Sequence, residues 1–143
     1  MKWNHLAFML IAAISPVLAH EGIELGPNKG RILELSNDES LHAEITEKDG
    51  KITIDLLDHD MKPVKLDKQE LTATGGTREA PEKLTIKTEG DTFILAAPPA
   101  GQWVIFQFKT DAAAKAITAR LHFNTANCEP CKQPEWRCAC KEE

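Results

Sequence analysis

From Arg31 to Phe123, apolar and polar residues alternate with a period of two, and that rhythm restricts the chain more than any other feature it carries. Successive side chains of a β-strand point to opposite faces. A period of two therefore specifies half-buried strands, whereas an amphipathic helix repeats its apolar residues every three or four positions. Leu41, Ala43 and Ile45 alternate with His42, Glu44 and Thr46, and Ile52, Ile54 and Leu56 alternate with Thr53 and Asp55. Lys48-Asp49-Gly50 separates the two runs. Asp-Gly tolerates the positive φ angles of a tight turn, so the spacing predicts a hairpin with strands over 41–47 and 51–57.

The pattern continues with Leu71 and Ala73 ahead of Gly75-Gly76, and with Leu84 and Ile86 ahead of the turn Glu89-Gly90-Asp91. Phe93 to Ala96 follows as a more fully buried run and completes a second predicted hairpin. Trp103 to Phe108 is the most apolar strand and is expected at the centre of a sheet. Ile117, Ala119, Leu121 and Phe123 form the last strand, and the link 111–116 is expected to make one helical turn because alanine favours helix. With a short strand near 31–35, the chain should hold seven or eight strands. That count and spacing predict an all-β fold, an immunoglobulin-like antiparallel β-sandwich, over residues 20–125, with a Cys-rich C-terminal tail over 126–143.

The first 19 residues have the order of a cleavable export signal. Lys2 supplies a positive charge, Leu6 to Ile14 is a nine-residue apolar run, Ser15-Pro16 ends it, and Val17-x-Ala19 offers small side chains for cleavage. The run is too short for a membrane-spanning helix, which needs about 20 residues; the other reading of the segment is an ordinary N-terminal helix. Cleavage after Ala19 would make His20 the first residue of an exported, periplasmic or extracellular, protein. That chain would carry 16 Lys and Arg against 22 Asp and Glu, a formal charge of −6. Such a balance disfavours nucleic acid and anionic lipid as partners.

All four cysteines lie in the tail, as Cys128, Cys131, Cys138 and Cys140, in the spacing C-x2-C-x6-C-x-C. Four soft sulfur ligands in so short a stretch can surround one ion, and thiolates suit Cu(I) and Zn(II). Export into an oxidising compartment makes disulfides the default expectation, for example Cys128–Cys140 nested around Cys131–Cys138. Against pairing Cys138 with Cys140, residues one apart have poor disulfide geometry. A catalytic dithiol is the third alternative. The tail has Trp136 as its one large apolar residue and is expected to bury little, so a covalent or metallic link must hold it, or it stays mobile.

Other candidate ligands are fewer. A free α-amine and imidazole at His20 would form a nitrogen pair suited to Cu(II), with further nitrogen from His42, His59 or His122; otherwise His20 is simply a frayed end. His42 and His122 are expected on exposed strand faces. Asp58, His59 and Asp60 sit together in a turn and offer oxygen and imidazole to a divalent ion, although Asp also favours turns for its local hydrogen bonds. The sequence holds no G-x-S-x-G, no H-E-x-x-H and no phosphate loop, so no enzyme is expected.

Two segments carry a resemblance. Gly26-Pro27-Asn28-Lys29-Gly30-Arg31-Ile32-Leu33 and Leu56-Leu57-Asp58-His59-Asp60-Met61-Lys62-Pro63-Val64 resemble a pattern in small exported bacterial β-sandwich proteins of unknown function. They are similar to segments found beside heavy-metal efflux adaptor proteins. An N-terminal histidine on a β-sandwich is also similar to exported copper carriers. The resemblance implies an all-β exported domain with a link to metal handling, with an envelope or efflux protein as partner. The function expected is an exported metal-binding or metal-homeostasis protein using copper or zinc. The alternative is a metal-free envelope interaction module with a disulfide-stapled tail.

Overall fold

The computed structural model describes residues 23–140; the export segment and His20 lie outside the described residues. Among the described residues, nine strands form two antiparallel sheets: β1 (Arg31–Glu34), β2 (Leu41–Lys48), β3 (Lys51–Asp58), β4 (Glu70–Gly76), β5 (Pro81–Leu84), β6 (Lys87–Glu89), β7 (Thr92–Ala96), β8 (Trp103–Lys109) and β9 (Ile117–His122). One sheet has the order β1-β2-β3-β7-β6 and the other β5-β4-β8-β9. One continuous core joins residues of both sheets, among them Ile45, Ile54 and Phe93 from the first and Ala73, Phe106 and Leu121 from the second. This is the expected antiparallel sandwich. Among the described residues no helix is long and apolar enough to cross a membrane.

The first hairpin forms as its sequence dictates. Lys48 pairs with Lys51, and Asp49 and Gly50 between them take φ angles of 54° and 74°, the doubly positive pair that matches strand twist. The second hairpin joins β6 to β7 with Glu89 opposite Thr92. The expected count of seven or eight strands falls short here because the run through Leu84 and Ile86 is two strands. Leu84 pairs with Ala73 in one sheet, and after Ile86 the chain crosses to pair Lys87 with Ile94 in the other. A period of two continues through such a crossing, so alternation alone does not mark it.

Two further expectations need correction. The 111–116 link forms no helix; Asp111 accepts hydrogen bonds from the N–H groups of Ala113 and Ala114 and closes a turn, which outweighs alanine's helical preference. Phe93 to Ala96 is not buried throughout: Phe93 and Leu95 face the core, and Ile94 is only half-buried. Strand β8 is internal to its sheet, as expected, yet its apolar run alternates too, with Val104, Phe106 and Phe108 inside and Trp103 and Ile105 outside.

Strand β2 departs furthest from its pattern. His42 and Glu44 are both buried, at 5% and 0% exposure, although they alternate with the apolar positions. The reason lies in the lead-in segment, which covers the outer face of β2. The Glu44 carboxylate accepts hydrogen bonds from the N–H of Asn28 (2.7 Å), the side-chain amide of Asn28 (2.9 Å) and the N–H of Gly30 (3.0 Å). Gly30 packs so closely that a Cβ there would sit 2.6 Å from the Ile45 carbonyl oxygen. The two segments that carry the resemblance are thus turn-builders, and Pro27 and Asn28 line one cleft with Leu57, Pro63 and Val64.

Candidate metal centre

After β9 the chain makes one narrow hairpin of its own. Asn127 bridges Pro134, Cys128 N–H donates to the Gln133 carbonyl at 2.8 Å, and Glu135 N–H donates to the Ala126 carbonyl at 2.8 Å. The turn between them is closed by Lys132 N–H on the Cys128 carbonyl, with Lys132 at φ 58°. A single 3-10 turn, Glu135–Arg137, then carries Trp136 into the protein. This corrects the expectation that the tail buries little. Trp136 is 2% exposed, belongs to the shared core, and lies 5.5 Å from the Phe123 ring. Its N–H donates to the Asn124 carbonyl, and its own carbonyl accepts from the Arg31 guanidinium at 3.0 Å.

The docked indole sets the sulfur positions. Cys128 and Cys131 sit on the hairpin turn, and Cys138 and Cys140 follow the 3-10 element that Trp136 anchors. All four sulfurs lie within 4.8 Å of one another. No pair is bonded: the Cys131–Cys138 contact is 3.4 Å, and the four cysteines are free. The nested disulfides expected from the oxidising compartment are therefore not present in this geometry. An S–S bond needs about 2.0 Å, and here the four sulfurs share one space instead of forming two bonded pairs.

Backbone N–H groups are directed at these sulfurs. Gln133 N–H bonds Cys131, Cys131 N–H bonds Cys128, and Cys140 N–H lies 3.4 Å from Cys138 Sγ. Such donors stabilise thiolate over thiol. The Cys131 thiol is accordingly drawn down to about 7, first by the Gln133 N–H and then by the hydrogen bond Cys140 gives it. Cys140, whose proton is held in that bond to Cys131, is pushed up to about 12. Cys128 is raised as well, first through its hydrogen bond to Cys138. Cys131 is thus the cluster's most acidic shifted thiol, with Cys128 and Cys140 displaced the other way. Arg137 adjoins Cys138, and its Nε is buried without a hydrogen-bond partner.

Comparison with protein-family models, with curated proteins and with solved structures returns no match.

The remaining candidates are arranged differently. Asp58 spends one carboxylate oxygen on the N–H groups of Asp60 and Lys62, both at 2.9 Å, and these bonds hold its carboxyl below the usual carboxylate range. His59 Nε2 lies 3.1 Å from Asp60, and both are exposed. Among the described residues, the His, Cys, Asp and Glu side chains that converge as a group of ligands are the four cysteines. His42 is not on an exposed face; its Nδ1 is 2.9 Å from a Glu34 carboxylate oxygen. His122 stacks on Trp103, and His20 lies outside the described residues.

Proposed function

We propose that the chain is an exported metal-binding protein that holds one Zn(II) or Cu(I) ion between Cys128, Cys131, Cys138 and Cys140. The observation that carries this reading is the convergence of four sulfurs within 4.8 Å. Four thiolates at a Zn–S distance of about 2.3 Å around a tetrahedral ion lie roughly 3.8 Å apart, so the unbonded cluster is close to the spacing an ion would impose. The N–H···S bonds favour the thiolate state that any soft metal needs. In this reading the export segment delivers the protein to an envelope in which copper and zinc are bound or passed to an efflux partner, and His20 as the new N-terminus offers Cu(II) a second, nitrogen site. No catalytic step is assigned to the chain.

The 3.4 Å approach of Cys131 and Cys138 favours one competing reading, a metal-free interaction module whose tail is stapled by disulfides after export. The two readings differ in mass. Native mass spectrometry of protein taken from the envelope should find the chain with one metal ion. A mass lower by four hydrogens and free of metal would reject the metal reading in favour of the stapled module.

A further inference from the structure

A second site lies on the outer face of the β5-β4-β8-β9 sheet, away from the cysteines in sequence and built on different chemistry. Strand β8 sends Trp103 and Ile105 outward, at 54% and 38% exposure, two of the three exposed large apolar residues among those described. The sheet register sets Ile105 opposite Arg120 and Trp103 opposite His122 on β9. The Trp103 and His122 rings stack at 4.8 Å and 15°, and His122 Nε2 lies 3.1 Å from the Gly101 carbonyl oxygen, which fixes the imidazole behind the indole. An exposed indole held in this way is a preorganised platform.

The platform forms one wall of a groove of about 720 Å³, whose other sides include Pro81, Gln102, Arg78 and Arg120. Gln102 Oε1 accepts from Gly76 N–H and ties the loop that carries Arg78 to the β8 side of the groove. No acidic residue lines it, and neither Arg78 nor Arg120 is ion-paired among the described residues. Two unpaired guanidiniums beside an exposed indole are unusual on a chain of net charge −5. Planar guanidinium recognises carboxylate through paired N–H donors, and an indole face attracts flat rings.

We infer that this groove binds a small anionic ligand in which a carboxylate is attached to a flat-faced ring, with the ring on Trp103 and the carboxylate between Arg78 and Arg120. Either an aryl carboxylate or a sugar acid supplies that chemistry. The inference is independent of the metal reading.

The test is nitrogen–proton NMR of the exported chain, following the indole N–H signals of Trp103 and Trp136 during titration with phenylacetate, glucuronate, their uncharged counterparts benzyl alcohol and glucose, and acetate. The Trp103 signal should shift to saturation with at least one ring carboxylate, while the buried Trp136 signal stays in place and reports an intact fold. Whichever of phenylacetate or glucuronate binds more tightly identifies the source of the ring. Its uncharged counterpart should bind about tenfold or more weakly, as expected when a charge-assisted hydrogen bond is lost. Arg78→Gln and Arg120→Gln should each cost a similar factor. Equal binding of charged and uncharged rings, equal shifts with acetate, unsaturated shifts throughout, or unchanged affinity in the doubly substituted protein would each overturn the inference.

Discussion

The sandwich and the tail are ordered by different forces, although they share one core. In the sandwich, positions such as Ile45, Ile52, Val104, Phe108 and Leu121 are completely buried, and each removes apolar surface from water at roughly 25 cal/mol per Å². Among its described residues the tail has one buried large apolar side chain, Trp136, and a handful of backbone hydrogen bonds around it. One buried indole is enough to fix where the segment lies. It does not order both arms of a hairpin, and the space beside it holds four sulfurs in place of a second apolar layer. The tail is thus docked by hydrophobic contact, and that docking brings four free sulfurs together.

The sharpest way to break that division is Trp136→Ala. Truncating a fully buried tryptophan should destabilise the protein by about 3–5 kcal/mol in denaturant unfolding and release the tail to proteolysis. A loss under 1 kcal/mol would mean that the indole does not share the core. A chain ending at Thr125 should keep its β-sheet circular dichroism and a cooperative melt, at a lower midpoint because Trp136 has gone with the tail. Loss of the sheet signal would make the tail part of the folding unit.

Within the sandwich, Glu44 is the polar exception, and it offers the next largest effect. Glu44→Ala leaves the Asn28 and Gly30 N–H groups without their acceptor, at a cost of about 2–3 kcal/mol. Glu44→Gln keeps one carbonyl oxygen and should lose less. An alanine variant as stable as the parent would show that the lead-in segment is held by packing alone.

Asp58 should give the smallest effect. Its carboxyl is lowered by hydrogen bonds that exist only in the folded turn, so its contribution is present above the ordinary carboxylate range and is lost as pH falls through the lowered value. Asp58→Asn should therefore melt slightly below the parent at neutral pH and converge with it in acid, with metal content unchanged. A fall in metal content would move Asp58 from turn-builder to ligand.

How much of this was legible in the sequence differs between the same two regions. Period-two alternation and the Asp49-Gly50 turn were enough for the sandwich and its first hairpin, because each reflects local geometry. The sheet crossing after Leu84 and the burial of Glu44 were not legible. Both depend on which distant segment covers a face, and alternation records only that a face exists. In the tail, cysteine spacing pointed to a shared ligand set. The position of the sulfurs depends on Trp136 reaching Phe123 and, across more than a hundred residues of chain, Arg31, contacts that no local pattern encodes.

The central claim, that the docked tail is a soft-metal site, is tested most directly by titrating the reduced protein with Zn(II) and with Cu(I) against a chelator, beside Cys138→Ser/Cys140→Ser. The parent should bind one ion. Its affinity should fall steadily as pH drops, because protons compete with the metal for the raised Cys128 and Cys140 thiols already above neutral pH and for Cys131 as well near 7. The doubly substituted protein should lose most of the affinity with half its sulfur ligands. Equally weak, pH-independent binding by parent and variant would contradict the account.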